Sequence, residues 1–293
     1  MEQLPNRDMI REMKVMRSVK CIAAVFLFAA SVFAQKDITS IDFKNFTYQP
    51  SCAEDAEAGR NVTVKDGEYS YEKEADGYTD RFYFSVHEPV YGDLTGDGKP
   101  EAVVISICNT GGTGNFTEGY IFALRNGRPV QVAVLPGGDR AYGGIREVWI
   151  ENDELWVETN DPGEAGGACC PTLVVTSRYK LRGDKLVESA KSTTRPIYPS
   201  QRVTFQKGKS GATVTLTIRG GEGAELVLRA NKGQTLTVTS NEKAIGAVLD
   251  GDAEVVSLGN GFRAVLSASG DQKIRLDNEN SAPVTVEITI TVK

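Results

Sequence analysis

Apolar and polar positions alternate along most of the chain. Near the C-terminus Val284, Val286, Ile288, Ile290 and Val292 fall on one face, and Thr285, Glu287, Thr289 and Thr291 on the other. This period of two predicts a strand with one buried face. Earlier segments repeat it: Val203 and Phe205; Val214, Leu216 and Ile218; Leu226 and Leu228; Leu236 and Val238. Turns rich in Gly and Asn (RGGEG, NKGQ, DGD, GNG, SGD) separate them. About eight short strands in ~95 residues, with no helical period, predict a β-sandwich.

The preceding half is also mainly β. VVISIC, GYIFALRNG, VQVAVL, EVWIEN, ELWVET, TLVVTSRYKL and KLVES alternate or run apolar. Asn126-Gly127 predicts a hairpin between IFALR and PVQVAVL. The expected fold class is all-β: a mixed β N-terminal domain plus a C-terminal antiparallel β-sandwich.

Charge divides the chain at the same place. Residues 35–199 carry 17 basic and 26 acidic side chains, net −9, whereas residues 200–293 carry 11 and 10, net +1. Pro196 and Pro199 lie in KSTTRPIYPSQ between them, so 35–195 is read as the first domain, 196–201 as a linker and 202–293 as the sandwich. The formal net charge of −6 argues against a broad nucleic-acid-binding surface. A single histidine, His87, excludes a multi-histidine metal site.

Residues 1–34 read as a secretory signal: Arg11, Lys14, Arg17 and Lys20 precede the apolar run Cys21 to Ala34, with Val32 and Ala34 small enough for a cleavage site before Gln35. The run is short of the ~20 residues that span a bilayer. A secreted or periplasmic protein with no transmembrane anchor after cleavage is expected. Cys21 follows SVK, which does not look like a lipobox.

In an oxidising compartment the four remaining cysteines, Cys52, Cys108, Cys169 and Cys170, read as disulfides. Three pairings are possible. A bond between adjacent Cys169 and Cys170 strains the intervening peptide, so the preferred pairing links each of them to one of Cys52 and Cys108.

One segment has ion-site spacing. Asp93, Thr95, Asp97 and Glu101 place oxygens at loop positions 1, 3, 5 and 9, Lys99 offers a carbonyl at position 7, and Gly98 permits a sharp turn. Calcium, in a structural role, is the expected ion. The competing reading is a surface hairpin in which TGDG turns the chain. Val104 replaces the glutamate of an EF-hand, and the strand AVVISI follows instead of a helix. The loop resembles the calcium loops of FG-GAP repeats.

Two longer stretches also carry resemblances. RVTFQKGKSGATVTLTIRGGEGAELVLRANKGQTLTVT and SASGDQKIRLDNENSAPVTVEITITV, within about residues 202–292, resemble the inhibitor-of-g-type-lysozyme family and the prepeptidase-C-terminal-like sandwiches of secreted bacterial proteins. Most matching residues are turn glycines and core positions, so the resemblance implies a fold more firmly than an activity. In order, YGDLTGDGKPEAVV, CNTGGTGNF, PGGDRAYGGI, ACCPT and RYKLRGDKLVES resemble secreted bacterial proteins of unknown function, including the LppP/LprE-like lipoproteins, over roughly residues 85–190.

No catalytic constellation emerges. His87 sits in an expected strand, G-x-S-x-G is absent, and oxidation would consume the thiols a cysteine protease needs. GGTGNF (Gly111 to Phe116) lacks the lysine and serine of a phosphate loop and reads as a connection or ligand rim. Asp161 with Glu164 forms an acid pair that no motif marks as a glycosidase. The primary reading is an exported bacterial, non-enzymatic binding protein. Its partner is expected to be a protein or a cell-wall glycan; the sandwich resemblance implies a g-type lysozyme. An envelope hydrolase and a structural envelope component are the alternatives.

Overall fold

A computed structural model describes residues 37–53, 59–75 and 77–293. The expected signal segment lies outside the described residues. Among them, no helix is long and apolar enough to cross a membrane.

The chain is nearly all β. Its strands are β1 (Thr47–Tyr48), β2 (Val62–Thr63), β3 (Glu68–Ala75), β4 (Tyr78–Val86), β5 (Val90–Gly92), β6 (Glu101–Asn109), β7 (Phe116–Arg125), β8 (Arg128–Leu135), β9 (Ile145–Glu151), β10 (Glu154–Asp161), β11 (Leu173–Arg182) and β12 (Lys185–Pro196). There follow β13 (Ser200–Arg202), β14 (Gly211–Ile218), β15 (Gly223–Ala230), β16 (Thr235–Ser240), β17 (Ile245–Asp250), β18 (Glu254–Leu258), β19 (Gly261–Val265), β20 (Gly270–Asn278) and β21 (Val284–Val292).

In the first half a sheet in the order β3-β4-β6-β7-β8, with β5 also paired to β6, stands at the centre. The apolar run of β6 serves both faces: Ala102, Val104 and Cys108 enter one core, Val103 and Ile105 the other. Such a run is what a strand buried on two sides requires. Short 3-10 turns at Ile38–Ser40 and Phe43–Asn45 cover the first face. The Asp37 and Asp42 carboxylates cap them by accepting the Thr39 and Lys44 N–H groups. Tyr48 is thereby held against Phe84 and Tyr120, donating its hydroxyl to the Phe43 carbonyl at 2.6 Å. A four-stranded sheet, β12-β11-β10-β9, covers the other face through Val148, Leu155, Val157 and Leu181.

The second half is a sandwich of β13-β15-β20-β17 and β14-β21-β16-β19-β18. The terminal alternation matches the expectation: Val286, Ile288 and Ile290 are fully buried in β21, with Thr289 and Thr291 on the opposite register. These side chains, with Leu226, Val238 and Ile274, form a core separate from those of the first half. Two corrections follow. The sandwich is antiparallel except for β13, which runs parallel to β15. Residues 196–201 are not a free linker, because Pro196 ends β12 and Ser200 begins β13. Between them Ile197 is buried, and its N–H donates to the Thr172 carbonyl. Backbone groups this close to two sheets find partners there. The described residues accordingly belong to one compact unit.

Candidate functional site

The hairpin of β9 and β10 is nearly palindromic, EVWIE-ND-ELWVE. Asn152 and Asp153 turn it with φ of 53° and 58°, the left-handed conformation of a tight hairpin. This register sets Trp149 opposite Trp156, and β11 sets Arg178 on the far side of Trp156. The indoles stack at 5.4 Å and 19°, and the Arg178 guanidinium lies 4.8 Å from the Trp156 ring centre. Leu155 and Val157 alternate inward to the core, so both indoles must face away from it. Trp156 Nε1 is buried, with no hydrogen-bond partner among the described residues.

Two positions further along β10, Glu158 meets the second half. Its carboxylate accepts from Arg219 Nη1 at 2.9 and 3.0 Å and from Arg195 Nη2 at 3.0 Å. Glu222, in the turn before β15, accepts from Arg195 at 2.7 and 2.8 Å and from Arg146 at 3.1 Å. Both glutamate side chains are only 6% exposed, against 32% for Arg195 and 48% for Arg219. Burial alone pushes the Glu158 carboxyl up. The Arg219 hydrogen bonds and the Arg195 charge outweigh it and hold the group below the usual glutamate range. Next to this network Tyr198 lies over Gly223 and donates to Asp277 Oδ1 at 2.6 Å. A Cβ at Gly223 would stand 2.0 Å from the Tyr198 ring, so only glycine admits this contact.

The two halves thus enclose an open crevice of about 790 Å³. Trp149, Trp156, Arg195 and Arg219 line it, together with hydroxyls such as Thr176 and Ser200. Clefts between domains are common ligand sites. The arrangement favours binding over acid–base chemistry. A glycosidase needs one carboxyl kept protonated near neutral pH, whereas Glu158 is held ionised and Glu222 is clasped by two guanidiniums. None of Arg146, Glu158, Arg195, Arg219 and Glu222 stood out in the sequence. The tryptophan pairing was encoded there, in the matched segments EVWIE and ELWVE about the two-residue turn Asn152-Asp153.

The loop 93–101 is well ordered by its own groups. The Asp93 carboxylate accepts the N–H groups of Thr95, Gly96 and Gly98, and Asp97 accepts that of Lys99. Leu94 plugs the core, and buried Glu101 accepts its N–H at 2.8 Å. Burial pushes the Glu101 carboxyl up. Among the described residues, no three or more His, Cys, Asp or Glu side chains are grouped to hold a metal ion. Asp93, Asp97 and Glu101 address the loop's own amides, and as they stand do not make a cation cage.

The cysteines pair differently from the preferred reading. Cys52 bonds to Cys108, and Cys169 bonds to its neighbour Cys170. The 3-10 turn at Ser51–Ala53 packs onto β6, while Cys169 and Cys170 lie exposed in the β10–β11 loop. Exposed His87 donates its backbone N–H to Ile105. The CNTGGTGNF loop is organised by Asn109, whose side chain donates to the Gly112 and Gly114 carbonyls. Thr110 and Phe116 at its ends line a second pocket of about 560 Å³ beside Cys52. Asp161 accepts the Gly163 N–H in a turn, and Glu164 is exposed, so the pair is not a catalytic couple.

No protein family matches the chain, and no curated protein matches it. Among solved structures it is similar to a mutant of PliG-Ec, a periplasmic lysozyme inhibitor of g-type lysozyme from Escherichia coli. Identity is 21% and the TM-score 0.29, over 33% of this chain and 99% of that one. Salmonella Typhimurium PliG, also a periplasmic inhibitor of g-type lysozyme, gives 20% and 0.29 over 32% and 98%. Aeromonas hydrophila PliG, described in the same words, gives 22% and 0.30 over 33% and 97%. At these TM-scores the likeness, confined to a third of the chain, carries no functional argument.

Proposed function

We propose that the protein is a non-enzymatic binding protein of the exported compartment whose partner is another protein, a g-type lysozyme in its most specific form. The observation that carries this reading is the open edge of the second half. β18 ends the five-stranded sheet and leaves Val255 and Val256 48% and 57% exposed. Val265, on adjoining β19, is also exposed. A valine-bearing free edge is a template for a protein partner. The resemblance of residues 202–292 to lysozyme inhibitors supplies the candidate. Mature protein, residues 35–293, is titrated against g-type and c-type lysozymes in a cell-wall lysis assay. Stoichiometric inhibition of the g-type enzyme, lost in Val256→Lys without a change in melting temperature, is expected. No inhibition at equimolar protein removes lysozyme as the partner; inhibition retained by Val256→Lys removes the edge.

Calcium at Asp93, Thr95, Asp97, Lys99 and Glu101 is a separate proposal, in a structural role. It requires Asp97 and Glu101 to turn toward a shared centre with Asp93. Calcium at about 5 mM, above the range of weak extracellular sites, is expected to raise the melting temperature of EDTA-treated protein but not that of Asp93→Asn. An equal response in both proteins, or none, refutes the site.

A further inference from the structure

The first half of the molecule is acidic, yet the surface it turns toward the crevice is not. The charged lining of the crevice is two guanidiniums, of Arg195 and Arg219, and two carboxylates, of Glu158 and Glu222, with Arg146 bound to Glu222 outside the lining. Depth sharpens the contrast. The carboxylates are almost wholly buried, while Arg195 and Arg219 are the groups that solvent reaches. Beside Trp156, Arg178 is partly exposed and paired with Glu154 at 3.7 Å, so it stiffens the indole stack without adding net charge. The approaching ligand therefore meets cations first, in front of a stacked indole pair.

Indole faces take up the apolar C–H surface of a sugar ring, and threonine, serine and arginine groups satisfy its hydroxyls. Guanidinium pairs with carboxylate in a bidentate geometry that a neutral sugar cannot exploit. The volume of about 790 Å³ lies within the usual range for small-ligand clefts. We propose that this crevice binds a carboxylate-bearing saccharide, with Trp149 as the stacking wall and Arg195 and Arg219 as the carboxylate clamp. This site extends the binding-protein reading and is independent of the β18 edge and of lysozyme.

The chain holds two tryptophans, and both line the crevice. Its intrinsic tryptophan fluorescence is therefore a direct report on occupancy. The probe is the disaccharide N-acetylglucosaminyl-N-acetylmuramic acid, which carries a lactyl carboxylate. Its matched control is N,N′-diacetylchitobiose (chitobiose), a neutral sugar which lacks that group, and hexa-aspartate tests for an acidic peptide. The full mature protein is titrated with each by fluorescence and by calorimetry. A saturable emission shift with the acidic disaccharide is expected, at least tenfold weaker with chitobiose and weakened by salt. Arg219→Gln, whose buried partner Glu158 keeps only its Arg195 bond, is expected to melt at a lower temperature but still cooperatively, and, titrated well below that temperature, to lose most of this preference. Trp149→Phe, which retains a ring, separates stacking from folding and should weaken both sugars alike.

Equal affinity for chitobiose overturns the clamp. A response to hexa-aspartate without one to the disaccharide makes the crevice a peptide site and overturns the saccharide. Silence with all three probes overturns the site. Each of these results leaves the lysozyme titration unaffected, so the two proposals fail separately.

Discussion

Glu222 makes the junction of the two halves testable. In Glu222→Ala, Arg195 loses bonds of 2.7 and 2.8 Å and Arg146 one of 3.1 Å. Removing one partner of a buried ion pair costs about 3–5 kcal/mol, because the other charge is left buried without compensation. Here the residue is milder. Arg195 is a third exposed and keeps Glu158, and Arg146 keeps Asn160 at 2.9 Å. The low end, about 3 kcal/mol, is therefore expected. For a chain of this size that corresponds to a fall of about 6–12 °C in melting temperature. Urea unfolding is followed by tryptophan emission, which reports the first half beside the junction, and by far-UV circular dichroism, which reports both halves. The two curves should coincide in the wild type and separate in the variant as the halves uncouple. The double variant with Arg195→Met should show a coupling above about 1 kcal/mol. A loss below about 0.5 kcal/mol with coincident curves would mean that solvent already screens the network, and the argument from burial would be wrong.

Four further outcomes follow from particular groups. Glu158 is held ionised in the fold, so its contribution is present above the ordinary glutamate range near pH 4.3 and is lost as pH falls through the lower folded value; Glu158→Gln should flatten that acid limb of the stability curve. Cys52→Ser with Cys108→Ser opens a 56-residue separation and should cost about 4 kcal/mol by loop entropy, whereas the exposed Cys169→Ser/Cys170→Ser variant should change global unfolding by less than about 0.5 kcal/mol. Gly223→Ala drives a Cβ into the Tyr198 ring and should destabilise by about 1–3 kcal/mol; an unchanged denaturation midpoint would show that Tyr198 moves aside freely. Leu226→Ala, fully buried in the sandwich core, should lose about 2–5 kcal/mol in urea titration.

The one-dimensional pattern determined the elements with local causes. Side-chain alternation placed β21 and its buried face, because period two is a property of any extended chain. Asn126-Gly127 joins β7 to β8 with φ of 51° and 74°, the conformation those two residue types tolerate best. Charge and proline marked a change near residue 200; the buried residues of the sandwich core run from Val203 to Val292. Tertiary structure decided what depends on partners distant in sequence. Neither Glu158 nor Glu222 differs by its neighbours from any surface glutamate; 64 positions of chain and a register in each sheet bring both to Arg195. The preferred disulfide pairing was wrong because the docking of the Ser51–Ala53 turn on β6, a packing outcome, joins Cys52 to Cys108, and Cys169 bonds to its neighbour Cys170. Spacing put oxygens in order around residues 93–101, but the folded loop turned them to its own amides. Hydrogen bonds to nearby N–H groups are available wherever such a loop closes, whether or not a cation is there to compete for them.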